Sequence, residues 1–161
     1  MKNTYMKKKP TWIIVANKTR AKIFESAGIK ESPREIMGID NPAGYLREQD
    51  LVSDRPGRSM HSPFSRRSAR LPRNKKTEHI IDTFINQILT ELEVLKRKGR
   101  FGSLILIAEP RLLGKFRGCL EDHEQLQVEQ EVPRDLLKTP DGSLGSEIQK
   151  YIKQEKHTAL L

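Results

Sequence analysis

The pattern of apolar residues predicts short strands first, then a long polar interval without regular patterning, and then helices. The run of apolar, mostly β-branched residues at 12–16 predicts a strand buried on both faces. Alternation at 21–25 and a third apolar segment at 35–39 predict two further strands. Because turn residues and short links separate the three, they predict an antiparallel meander. The regular pattern then stops over residues 44–76.

The second half of the chain returns to regular patterning. Apolar residues recur at steps of three and four over 78–98, which predicts an amphipathic helix, with Thr77 as its cap and Gly99 as its stop. The continuous run at 104–108 is typical of a central strand. The pattern also predicts a helix at 111–120, a strand at 127–132 and a helix at 143–155. This order predicts an α/β fold of α+β character, with one mixed sheet, an N-terminal antiparallel meander and helices packed on it.

The length of 161 residues suits one domain. We expect a flexible basic tail at 1–10 and one domain at 11–161 that carries a long basic loop at 53–77. Cys119 is the only cysteine, which excludes an intrachain disulfide. The apolar run behind the N-terminal lysines is too short for a signal peptide or a membrane span. A cytoplasmic protein is therefore expected.

The net charge of +9 is concentrated in two places. Residues 1–9 contribute +4, and residues 53–76 contribute +7, with Asp54 as the only acid there. The cations of that second segment are Arg55, Arg58, Arg66, Arg67, Arg70, Arg73, Lys75 and Lys76. Since guanidinium groups hold phosphates through paired hydrogen bonds, these residues predict a binding site for a polyanion. A solvated loop, or a contact with acids of a partner subunit, are the alternatives.

The segment gives little support for recognition of single-stranded nucleic acid by stacking of bases on aromatic side chains, because Phe64 is its only aromatic residue. We expect Tyr45 and Leu46, just ahead of it, to anchor the base of the loop in the core. Glu48, Asp50 and Asp54 could bind Mg²⁺ or act as acid and base. The arginines among them favour local ion pairs instead, so a role in anchoring the loop is the preferred interpretation.

Other candidate chemistry is weak. The four histidines show no metal-ligand spacing and are expected to be isolated residues on the surface or on helices. Cys119 is expected to pack as a small apolar residue and not to act as a nucleophile. The glycines form neither a phosphate-binding loop nor a nucleophile elbow. The sequence therefore indicates no catalytic residue, no metal and no cofactor.

Three segments carry a resemblance to a known family: WIIVANKTRAKIFE at 12–25, LREQDLVSDRPGRS at 46–59 and LILIAEPRLLGKFR at 104–117. Through them, and over about residues 11–155, the chain resembles the bacterial host-attachment protein family. The resemblance implies a part in attachment to host cells. It also implies kinship with the central domain of archaeal and eukaryotic peptide-chain release factors, in which a loop ahead of a long helix carries Gly-Gly-Gln. The loop at 53–77 takes that place but lacks Gly-Gly-Gln. The resemblance therefore implies a contact with RNA or the ribosome, without peptide release.

Three hypotheses follow. The first is a non-catalytic module that binds RNA or the ribosome through the arginine-rich loop. The second is an interaction factor in host attachment that acts through a protein partner or an anionic surface, with a homo-oligomer as a further alternative. The third is a metal-dependent hydrolase that uses Glu48, Asp50 or Asp54, and it is the least favoured.

Overall fold

The computed structural model describes residues 9–26, 31–45 and 73–159, with side chains from 76 to 152 in the last range. In chain order the elements are β1 (Thr11–Ala16), β2 (Arg20–Ser26), β3 (Arg34–Asp40), a 3-10 turn (Pro42–Tyr45), α1 (Arg73–Arg97), β4 (Ser103–Ala108), α2 (Pro110–Leu120), β5 (Val128–Pro133), a second 3-10 turn (Leu136–Lys138) and α3 (Asp141–Ala159).

The five strands form one mixed sheet in the order β3-β2-β1-β4-β5. β1 to β3 make an antiparallel meander, whereas β4 runs parallel to both of its neighbours, β1 and β5. This arrangement confirms the predicted mixed sheet and the predicted interior position of the segment at 104–108. The two parallel connections use α1 and α2 as crossover helices, as parallel pairing requires.

The core lies on both faces of the sheet. Ile14 of β1 belongs to a cluster that includes Ile85 of α1 and Phe116 of α2. Its neighbours along β1, Ile13 and Val15, belong to a second cluster, which includes Ile148 of α3. Successive side chains of a strand point to opposite faces. The continuous apolar run of β1 is thus explained by burial on both sides.

The ends of β1, β4 and β5 define one edge of the sheet, here called the carboxyl edge. β3 also ends there, because two antiparallel pairings make it run parallel to β1. α1 must run back to the opposite edge in order to enter β4. It ends before Gly99, whose φ of 74° suits a helix stop, and the backbone N–H of Gly102 then donates to the carbonyl of Pro10 over 3.0 Å. Consequently, Tyr45 and Arg73, the described residues on either side of 46–72, both lie at the carboxyl edge.

A side chain organises the β1–β2 turn at this edge. Oδ1 of Asn17 accepts hydrogen bonds from the backbone N–H groups of Thr19 and Arg20, over 2.9 and 2.8 Å, and from the Thr19 hydroxyl over 2.8 Å. The backbone N–H of Asn17 donates to the carbonyl of Arg20 over 2.9 Å. Asparagine is favoured in turns because its side chain bonds the backbone just ahead of it. One residue therefore closes the turn through four hydrogen bonds.

The first 3-10 turn is bonded to that hairpin. The backbone N–H of Asn41 donates to the carbonyl of Thr19 over 2.7 Å, and Nδ2 of Asn41 donates to the carbonyl of Lys18 over 2.9 Å. The N–H of Gly44 donates to the carbonyl of Asn41 over 2.9 Å. A Cβ at position 44 would lie 2.1 Å from the carbonyl oxygen of Lys18. The close approach of these two backbones therefore requires glycine.

The start of α1 corrects the sequence prediction. The helix begins at Arg73 and not at residue 78, so Thr77 is not its cap and the predicted loop at 53–77 includes the first turn of a helix. Arginine and lysine are good helix formers, and the intervening asparagine is not a strong breaker. Because threonine is a common helix cap, the sequence predicted that the helix starts after Thr77. α3 likewise extends beyond its predicted limits of 143–155, at both ends.

Lys22 anchors the start of α3 to the sheet. Its Nζ lies 2.8 Å from Oδ1 of Asp141, in the first turn of α3, and 3.5 Å from Oε2 of Glu35 on β3. The hydrogen bond raises the pKa of Lys22 above its ordinary value of 10.5 and lowers the pKa of Asp141 below its ordinary value of 3.8. The carboxylate also suits the positive end of the helix.

Substitution of Gly44 by alanine should destabilise the fold. The added Cβ meets backbone atoms of Lys18 that cannot move without disturbing the hairpin, so we expect a loss of about 1–3 kcal/mol in the free energy of unfolding. The matched control is Gly118→Ala on α2, where an added Cβ has nothing within 4 Å. That change should be neutral or stabilising by up to about 1 kcal/mol. Urea unfolding measures both, and equal stability of Gly44→Ala and the wild type would contradict the close approach.

Substitution of Lys22 by methionine should lower stability in a pH-dependent way. The folded pKa of Asp141 is depressed, so the stabilisation is present above pH 3.8 and is lost as the pH falls through the lowered pKa. The gap between the urea midpoints of wild type and variant should therefore narrow from pH 6 towards pH 3. Lys138→Met, which removes a more exposed lysine 3.8 Å from Asp135, serves as control and should show a smaller gap. A gap that stays constant with pH would rule out the ion pair as its source.

Candidate functional site

Most of the residues predicted for polyanion binding lie outside the described residues. These are Arg55, Arg58, Arg66, Arg67 and Arg70, and the candidate acids Glu48, Asp50 and Asp54 fall in the same interval. Arg73, Lys75 and Lys76 are in the first turn of α1 and not in a loop. The structure therefore places the backbone of these three residues at the carboxyl edge, where α1 starts.

The first turn of α1 is unusually positive for a helix start. It contains no acidic residue, although the helix dipole places partial positive charge there and favours acids. The next acids along α1 approach cations of α2. Oε1 of Glu78 lies 3.7 Å from Arg111, and Oδ1 of Asp82 lies 3.1 Å from Nζ of Lys115. These carboxylates join the two helices.

Tyr45 is 70% exposed, so the expectation that it anchors the loop in the core is wrong. It is the last residue of the first 3-10 turn, in which Gly44 makes the close contact with the hairpin. A four-residue turn held through its backbone has no continuous apolar face that would draw Tyr45 inward. Leu46, the other expected anchor, lies outside the described residues.

The burial of His123 and its contacts with α1 were not predicted from the sequence. This residue is 8% exposed, and the expectation of an isolated surface or helix histidine is wrong for it. Its Nδ1 lies 3.1 Å from Oε1 of Glu93, and its Nε2 lies 3.4 Å from Oδ1 of Asn86, so it ties the turn after α2 to α1. Its two partners are 30 and 37 residues away, at no recognisable spacing. No local signal in the sequence could have found them.

Cys119 lies beside this group, on the last turn of α2. Burial, followed by the charge of Asp82, raises the pKa of its thiol above the ordinary value of 9.0. The thiol therefore stays protonated near neutral pH, which agrees with a packing role and not with that of a nucleophile.

Neither a metal-binding cluster nor a membrane span is found in the part of the chain that the structure describes. Within it, no group of three or more His, Cys, Asp or Glu side chains is arranged to hold a metal ion. None of the helices in the same residues is sufficiently long and apolar to cross a membrane.

A search of curated proteins returns no significant match. The sequence model of a family described as "protein required for attachment to host cells" matches residues 12–148. The match includes the whole sheet from Trp12 onward, both crossover helices and the start of α3. The chain belongs to the family of proteins required for attachment to host cells.

Proposed function

We propose that this member of the host-attachment family is a non-catalytic, cytoplasmic module that binds RNA through its basic segment. The observation that carries the proposal is the charge of residues 53–76, which include eight cationic residues and one acidic residue. The proposed contacts are Arg55, Arg58, Arg66, Arg67, Arg70, Arg73, Lys75 and Lys76. Localised cationic charge of this kind is the usual electrostatic footprint of nucleic-acid binding.

The described structure supports the proposal at the end of the segment. Tyr45 and Arg73, the described residues on either side of 46–72, both lie at the carboxyl edge. The segment continues into the first turn of α1, where Arg73, Lys75 and Lys76 add to the positive end of the helix dipole. An anionic partner would offset this concentration of like charge.

The expected strength depends on salt. If about four cations engage phosphates, affinity should fall roughly a hundredfold between 50 and 200 mM salt, because each phosphate engaged contributes a slope of about −0.9. Arginine suits this task since its planar fork matches the phosphate geometry.

A ribosomal target is the more specific form of the proposal. It rests on the kinship with the central domain of release factors that the resemblance to the host-attachment family implies, and in those domains a loop precedes a long helix. Gly-Gly-Gln is absent from this chain, so the proposed role is contact with ribosomal RNA and not peptide release.

The family description supports a second candidate, a protein-interaction factor in attachment to host cells. In that case the arginines would pair with acids of a protein partner or of a second copy of the chain. The two candidates differ in the ligand that the basic segment prefers, which can be measured directly.

Replacement of Arg66, Arg67 and Arg70 by glutamine should weaken binding to ribosomal RNA at least tenfold at low salt. The salt slope should fall by about 0.7–0.9 for each phosphate that the variant no longer neutralises. The matched control replaces Arg34, Lys98 and Arg100, three exposed cations at the opposite edge of the sheet, and removes the same charge. It should bind nearly as the wild type does. Filter-binding titrations over a salt series measure all three proteins.

Equal affinity of the wild type and the triple loop variant would refute the proposed RNA site and favour the protein-partner candidate. Equal weakening of both triple variants would show that net charge alone determines binding.

A further inference from the structure

Among the described residues, Tyr45 and Val94 are the large hydrophobic side chains that remain exposed, at 70% and 41%. Tyr45 is the more exposed of the two and is aromatic. It immediately precedes residues 46–72, and it lies at the carboxyl edge. The ring is open to water next to a cationic segment, so it is accessible to a ligand.

The 3-10 turn that ends at Tyr45 is bonded to its surroundings at several points. It is tied to the β1–β2 hairpin through both the backbone N–H and the side-chain amide of Asn41. Gly44, the residue before Tyr45, is in close backbone contact with Lys18. These contacts hold the turn that carries Tyr45, and a turn held before the ligand binds loses less entropy on binding.

Two elements that carry cations adjoin the 3-10 turn. Lys18 is exposed and belongs to the turn on which Gly44 packs. α1 also contacts the 3-10 turn, and its first four residues include Arg73, Lys75 and Lys76. An exposed ring on a turn next to cationic elements suits a ligand in which flat, apolar surfaces alternate with negative charges. The bases and phosphates of single-stranded RNA have this chemistry.

We propose that Tyr45 is a stacking platform for an unpaired base of single-stranded RNA. The inference rests on the proposed RNA binding and adds to it a preference for unpaired strands. Phosphate contacts alone do not distinguish single strands from duplexes by their bases, whereas stacking needs an exposed base face. Stacking of one base on an aromatic side chain is worth roughly 5- to 150-fold in affinity.

The test compares the wild type with Tyr45→Leu, which keeps an apolar side chain but removes the ring, and with Tyr45→Phe, which keeps the ring. Each full-length protein is titrated with three probes: a single-stranded oligouridylate, an RNA duplex of the same length, and heparin. Heparin carries the charge of a polyanion without bases. Val94→Ala, which shortens the other exposed apolar side chain, is the control for the loss of exposed apolar surface.

We expect Tyr45→Leu to weaken binding of the single strand about fivefold or more and to leave duplex and heparin binding unchanged. Tyr45→Phe and Val94→Ala should bind all probes as the wild type does. Salt-dependent binding of the single strand that is equal in wild type and Tyr45→Leu would overturn the stacking role and leave the proposed function standing. Equal losses for all three probes would overturn it too, since they would indicate a disturbed fold. If the wild type binds neither RNA probe, both proposals fail.

Discussion

Both faces of β1 are buried, and this burial imposes the layout of the molecule. Ile14 faces α1 and α2 while Ile13 and Val15 face α3, so helices are needed on both sides of the sheet. The backbone of β1 is satisfied by β2 on one side and by β4 on the other, which leaves it no polar group for a ligand. Polar chemistry is thereby confined to the ends of the strands. The carboxyl edge carries the hydrogen-bonded turns, the exposed Tyr45 and the start of α1 with its three cationic residues.

The turns at that edge connect the fold to the proposed function. Asn17 closes the β1–β2 turn, Asn41 bonds the following 3-10 turn to it, and Gly44 permits the two backbones to touch. Each contact is made mostly by the backbone, so its position is set by the strands that the turns connect. This arrangement leaves Tyr45 exposed, and it sets the position of the last described residue before 46–72. The proposed RNA site thus consists of the basic segment and the hydrogen-bonded turns at the carboxyl edge.

Periodicity and turn residues were sufficient to predict the five strands, the three helices and the mixed sheet, because burial on one or two faces leaves a regular trace in sequence. The helix start at Arg73 was missed, since cationic first turns contradict the usual preference for acids and Thr77 offered a plausible cap. Burial of His123 and exposure of Tyr45 were also missed. Both depend on partners distant along the chain, such as Glu93 or Lys18, and no local pattern encodes such contacts.

The most direct test of the proposed site is photochemical crosslinking of the wild-type protein to single-stranded RNA, with mass spectrometry to locate the crosslinked residues. Binding at the carboxyl edge predicts crosslinks at Tyr45 and within residues 53–76, and their disappearance when the salt concentration is raised. Crosslinks confined to α3, or to the opposite edge of the sheet around Lys98 and Arg100, would contradict it.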